Sequence, residues 1–148
     1  MAAENGHSNG SHRTMPPQGI AEMLDHLTDG IAIVTRDGWI NYANAPAGTF
    51  LGRQLSELVG RNLWEEFPDA IGGTYHRAFE RAWATGTPQQ MVEYYKPLKT
   101  WFEYRIYPQE DKVFSLFRDI SEEQRTEEEL REQVTRIAEA ERIIGFGV

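Results

Sequence analysis

Cysteine is absent from all 148 residues, which excludes a disulfide, a thiolate metal site and a cysteine nucleophile, and fits a reducing compartment. Long apolar runs are missing too. No stretch approaches the roughly 20 apolar residues that span a bilayer, and the opening residues lack the apolar block of a secretory signal. Membrane contact within the chain is therefore not expected, and a cytoplasmic location is the default expectation. Basic residues are in deficit, with 15 Lys and Arg against 23 Asp and Glu, a formal net charge of -8. Without a Lys/Arg cluster there is no basic face for phosphates, so a nucleic-acid partner is not expected. Much of the acid sits at Glu122, Glu123, Glu127, Glu128, Glu129 and Glu132, so the imbalance belongs mainly to one segment and says little about a ligand. Catalytic signatures are missing as well: there is no G-x-x-x-x-G-K-[ST], no H-E-x-x-H and no G-x-S-x-G. No catalytic residue is identified, and a non-enzymatic role is expected.

What is present reads as one domain with a polar tail and a terminal helix. Residues 1–18 are Gly, Ser, Asn, His and Pro with little to bury, a composition that cannot offset its ordering entropy. Residues 19–121 carry the apolar periodicity of a globular unit. Residues 122–144 form a charged helix with coiled-coil potential. The last four residues, 145–148, are either a tail after a helix cap at Gly145 or the truncated start of a following domain.

Within the globular unit, Ile20, Met23, Leu24 and Leu27 fall at helical spacing, predicting a short amphipathic helix. Then the period changes. Ile31 to Thr35 and Trp39 to Ala43 read as two strands joined by the Asp37-Gly38 turn signal. Asn44 is a natural N-cap for a short helix closed by Gly52, and two further short helical segments end at Gly60 and before Pro68. Tyr75, Ala78, Phe79, Ala82 and Trp83 make one stripe of a longer helix, with Thr74 as its expected cap and Gly86 at its end. Three strands follow, Gln90 to Tyr95, Trp101 to Tyr107 and Val113 to Phe117, separated by short polar loops. This order predicts an α+β domain: a five-stranded antiparallel sheet with short helices on one face, an N-terminal amphipathic helix and a long C-terminal helix.

The element order and several motifs resemble a PAS domain. They are Asp37-Gly38-Trp39-Ile40-Asn41-Tyr42-Ala43-Asn44, Leu58-Val59-Gly60 with Leu63-Trp64-Glu65-Glu66-Phe67-Pro68, Trp101 to Pro108, and Phe117-Arg118-Asp119-Ile120-Ser121. The resemblance covers roughly residues 20–121. It implies a sensory module, often with a small ligand cavity, of the kind found in bacterial sensor histidine kinases and two-component systems. The family's closing Asp-Ile-Thr is Asp119-Ile120-Ser121 here, and Ser121 with Gln124 matches a capping box that would start the last helix.

Candidate residues follow. Trp64, Phe67, Tyr75, Phe79, Tyr94, Tyr104 and Phe114 are candidates to line a ligand pocket, or simply to fill the core. The resemblance makes His76 the candidate ligand for haem, because haem-binding relatives use a histidine from that helix; a surface or partly packed histidine is the alternative. No cofactor is the primary expectation, haem the alternative, and cysteinyl-flavin photochemistry is excluded because cysteine is absent. Asp119, Ile120 and Ser121 are the expected signal junction. Leu130, Val134, Ile137 and Ile144 form an imperfect heptad seam, interrupted at Glu141, which predicts a homodimer, with a helix folded back on its own domain as the alternative. An output domain, a kinase or similar, is expected in the same polypeptide. The function expected is a sensory and dimerisation module, against haem-based gas or redox sensing and against a structural interaction domain with a filled core.

Overall fold

The computed structural model describes residues 27–145. The polar tail, the amphipathic helix from Ile20 up to Leu27, and Phe146 to Val148 lie outside the described residues. The expected hairpin forms from β1 (Gly30–Thr35) and β2 (Ile40–Ala43). Its loop is closed by Thr35 N–H donating to the Trp39 carbonyl at 2.9 Å and Gly38 N–H donating to the Thr35 carbonyl at 2.9 Å. Gly38 has φ of 98°, and a Cβ there would lie 2.6 Å from the Trp64 ring, so the turn needs glycine for both backbone angle and space. On the outer edge of β2, Ile40 N–H donates to the Arg61 carbonyl at 2.9 Å and Gly60 N–H to the Ile40 carbonyl at 2.8 Å. Those bonds cover an edge that would otherwise invite strand pairing.

Asn44 ties the hairpin to the helical layer. Its Oδ1 accepts from Ala47 N at 3.0 Å, which caps α1 (Ala45–Leu51), and from Ile31 N at 2.8 Å, while its Nδ2 donates to the Asp29 carbonyl at 3.0 Å. The side chain is fully buried. Gly52 closes α1 in the left-handed conformation as expected. A single 3₁₀ turn (Leu55–Glu57) and the one-turn α2 (Leu63–Glu66), capped by Asn62, follow.

Helix α3 (Thr74–Thr85) buries Ala78, Phe79 and Ala82 and ends at left-handed Gly86. Its start departs from expectation. Thr74 is the first helical residue, and Gly73 holds the cap position with no side-chain bond. The orphan N–H groups of Thr74 and Tyr75 are instead taken by the carboxylate of Glu93, from a strand nearly twenty residues on.

The last three strands, β3 (Gln89–Tyr95), β4 (Thr100–Gln109) and β5 (Lys112–Asp119), each extend slightly beyond the sequence expectation. They form an antiparallel meander, and β5 inserts beside β1 to give the order β2-β1-β5-β4-β3. Helices α1 and α3 cover one face, over a core that includes Val34, Ile40, Phe79, Phe102, Ile106 and Val113. The opposite face carries a smaller cluster of Ile31, Ile33 and Tyr42 with Phe114 and Leu116 against it. Beyond the sheet, α4 (Ser121–Ile144) has no buried residue after its first turn. No described helix is long and apolar enough to cross a membrane.

Because Asn44 satisfies two backbone N–H groups and a carbonyl at once, Asn44→Ala is expected to lower unfolding free energy by about 2–4 kcal/mol. Asn44→Asp keeps the acceptor but sets a buried carboxylate oxygen against the Asp29 carbonyl, so it should recover less stability at neutral pH than at a pH low enough to protonate it. Urea denaturation of the two variants beside the parent at both pH values checks this.

Candidate functional site

Between the helical layer and the inner face of the sheet lies a cavity of about 70 Å³. That is several times the roughly 10–15 Å³ one water requires. Its floor is Ala32 and Val34 of β1, Phe102 and Tyr104 of β4 and Ser115 and Phe117 of β5, and its roof includes Leu58, Leu63, Phe67 and Tyr75. Small residues at Ala32, Ala43 and Ala70 face rigid aromatic rings, and rings cannot fold to fill the space that short side chains leave. Glu93 and Tyr95 of β3 complete one wall.

The polar groups converge. The Tyr75 hydroxyl and Ser115 Oγ lie 2.6 Å apart, joining α3 to β5 across the cavity. Burial pushes the Tyr75 phenol up to about 12, partly opposed by the bond to Ser115. The Tyr104 phenol, whose ring centroid is 4.9 Å from that of Tyr75, is raised further by burial and by the neighbouring Glu93 charge. Burial also raises the Glu93 carboxyl, against the N–H groups of Tyr75 and Thr74 and the nearby Arg77, which favour its charged form.

Of the sequence-derived pocket candidates, Phe67, Tyr75 and Tyr104 line this cavity. Trp64 packs outside it, against His76 and Phe79 at centroid distances of 4.6 and 5.2 Å. Phe79 is wholly buried core. Tyr94 and Phe114 are on the other side of the sheet: Tyr94 is exposed against Trp101, and Phe114 joins the second cluster. The physical reason is the two-residue period of a strand, which sends each residue to the face opposite its neighbours. The residues that take their places are Tyr95, Ser115 and Phe117. Together with Glu93 and Phe102, these were missed, although more and less buried positions alternate along β3 and β5 once the register is known.

His76 does not line the cavity. Its Nδ1 accepts the Gly72 N–H at 2.8 Å, and Nε2 lies 3.7 Å from the Glu80 carboxylate on the helix surface. Among the described residues the cavity wall offers no histidine in its place, so the residues described there do not fit haem ligation.

At the end of the sheet the junction residues are fixed by β4. Ile120, buried, donates its N–H to the Trp101 carbonyl at 2.8 Å, and Trp101 N–H donates to Ser121 Oγ at 3.1 Å. The expected capping box is therefore displaced: Ser121 is the first helical residue, its hydroxyl serves β4, and its N–H donates to Asp119 Oδ1 at 2.8 Å. Arg118 links the two elements, reaching Glu103 of β4 at 3.0 Å and Glu123 of α4 at 3.4 Å. Arg118 thus pairs with Glu103 across the two strands and takes Glu123 as a second partner.

A family model described as PAS fold matches residues 24–125. This chain belongs to the PAS-fold family. Solved structures agree with it. The photoactive yellow protein domain from the sensor histidine kinase Ppr of Rhodospirillum centenum aligns with TM-score 0.55 and 20% identity, covering 66% of this chain and 91% of that one. A sensory box sensor histidine kinase from Vibrio cholerae aligns with TM-score 0.55 and 17% identity, covering 79% and 96%. The PAS domain of the quorum-sensing receptor RpfR from Cronobacter turicensis, in complex with C12:0, aligns with TM-score 0.54 and 19% identity, covering 65% and 97%. At these identities the likeness is one of fold. No curated protein matches the chain by sequence. In this PAS domain the cavity lies between the sheet and its helical layer, and the junction at Asp119 to Ser121 starts α4.

The neutral Tyr75 phenol is favoured by the fold, so its stabilising share is full below pH 10.0 and is lost as pH rises toward about 12. The loss should approach about 1.4 kcal/mol per pH unit in that window. Tyr75→Phe should be less stable than the parent near neutrality, by about 1 kcal/mol through the unpaired Ser115 hydroxyl. Because the parent's loss across that window exceeds about 1 kcal/mol, the gap should close and then reverse between about pH 10 and about pH 12, as measured by denaturation at each pH.

Proposed function

We propose that this PAS domain is a non-enzymatic sensory module of a larger signalling protein, in which cavity occupancy is passed to α4 and through it to an output domain. The observation that carries the reading is the continuity between cavity and junction. Phe102 lines the cavity and is the neighbour of Trp101, whose N–H and carbonyl hold Ser121 and Ile120; Phe117 lines it two residues before Asp119. A side chain cannot be pushed at Phe102 or Phe117 without straining the bonds that aim α4.

Energies support the scale. An apolar void of about 70 Å³ costs on the order of 1–2 kcal/mol, and a ligand that fills it recovers that amount. This is comparable with typical coupling energies between sites, about 1–3 kcal/mol. A structurally similar PAS domain is in complex with C12:0, which supports an apolar ligand for the fold.

Helix α4 is read as the dimerising element. Leu130, Val134, Ile137 and Ile144 are each about 60% exposed, so the alternative in which the helix folds back on its own domain finds no burial to support it. Pairing with a second copy would cover this seam.

Two measurements test the proposal. Asp119→Ala should speed amide exchange in the first turn of α4 by about five- to tenfold, the effect of losing a cap worth about 1 kcal/mol, and should uncouple ligand from output in the full-length protein. Unchanged exchange and unchanged output would remove the junction role. Separately, Val134→Glu with Ile137→Glu should convert a dimer to a monomer by light scattering; a parent chain that is already monomeric sinks the pairing.

A further inference from the structure

The charge around the cavity limits what it can hold. Among the described residues that line it one is ionisable to an anion near neutrality, Glu93, and none is basic. Glu93 is not a surface acid that happens to reach inward. Its carboxylate accepts the N–H groups of Thr74 and Tyr75 at the start of α3, and a Cβ on Gly73 would sit 3.3 Å from Glu93 Oε2. The position is built: Gly73 leaves the room, and the helix start holds the group beside the phenols of Tyr75, Tyr95 and Tyr104.

Among the described residues, the two arginines whose charge acts on Glu93 and Tyr95 are already engaged. Arg53 lies over the Phe67 ring at 4.6 Å and is paired with Glu66 at 2.6 Å. Arg77 donates to the Gly72 carbonyl at 2.6 Å and acts on Glu93 itself. Asp69 adds a second negative charge close to Tyr95. A carboxylate or phosphate entering this space would meet the Glu93 charge, with Asp69 nearby and no unengaged cation in the wall among the described residues.

Hydrogen bonding points the same way. An ionised carboxylate accepts through about four lone-pair sites, and two N–H groups leave Glu93 with acceptor capacity. The Tyr75–Ser115 pair places two hydroxyl oxygens beside it, either of which can accept. A molecule that donates a hydrogen bond finds a charged acceptor there, whereas a carboxylate finds only neutral hydroxyl donors to set against the Glu93 charge.

We infer that this cavity selects a small apolar molecule with an uncharged, hydrogen-bond-donating head such as a hydroxyl, and rejects carboxylates of the same shape. The inference rests on the ligand-binding reading above and names the chemical class of that ligand. The test uses two matched probe pairs, 1-hexanol with hexanoate and 4-methylphenol with 4-methylbenzoate, titrated into the full chain at neutral pH and followed by amide NMR shifts. Each alcohol should bind at least ~10-fold more tightly than its carboxylate, about 1.4 kcal/mol. In Glu93→Gln the carboxylates should gain most of that factor while the alcohols change by less than about threefold.

Equal binding of alcohol and carboxylate to the parent chain overturns the inference and leaves the ligand-binding reading standing; this comparison needs no variant. If Glu93→Gln folds, as circular dichroism reports, and keeps the parent's preference, Glu93 is not its source and the inference fails on that count. Shifts confined to residues outside the cavity with every probe would overturn the ligand-binding reading and this one with it.

Discussion

The antiparallel ladder between β4 and β5 is the constraint on which both cavity and junction depend. It runs without interruption from Gln109 opposite Lys112 to Phe102 opposite Asp119, and Ile120 adds one more bond to Trp101. A ladder fixes register, and register fixes faces. Phe102, Tyr104, Ser115 and Phe117 therefore face the helices together, while Glu103 and Arg118 meet on the other side. Slipping the pair by one residue would empty the cavity of its aromatic wall and break the Arg118 bridge to α4 in the same step.

The two ends of α3 and α4 share a feature. Each begins where a Thr or Ser cap was expected, and at each a strand residue takes part instead. Glu93 serves the first N–H groups of α3, and Asp119 serves that of Ser121 while β4 takes the serine hydroxyl. A cap made by the helix's own flanking residue stabilises that helix alone. A cap made by a strand makes the helix start depend on the sheet.

Much of the fold could be read from the chain: the hairpin at Asp37-Gly38, the cap at Asn44, the stripe on α3 and the three-strand meander all form where expected. The site was less legible. Val113-Phe114-Ser115-Leu116-Phe117 is apolar on both sides of its single serine, and Glu93-Tyr94-Tyr95 puts an aromatic residue on each face. Such runs hide the two-residue period that would assign Phe117 inward and Phe114 outward. Aromatic character selected candidates of the right kind, and parity sent Tyr94 and Phe114 to the wrong face. Glu93 gave no signal at all, since one acid in a polar stretch reads as solvated until the start of α3 is placed against it. Likewise Thr74 and Ser121 are good caps by residue type, displaced by one position because Glu93 serves the first N–H groups of α3 and the Trp101 N–H occupies the Ser121 hydroxyl.

The exit of α4 has a mechanical side. The helix contains 24 residues, so at about 1.5 Å per residue it extends roughly 36 Å from the sheet. Held only at its base, it is a lever arm. A tilt of about 5° at Ile120 carries its far end through about 3 Å, more than half the spacing between neighbouring strands. A change at Phe102 or Phe117 too small to disturb the sheet would be magnified along this arm into a displacement that a neighbouring helix can register.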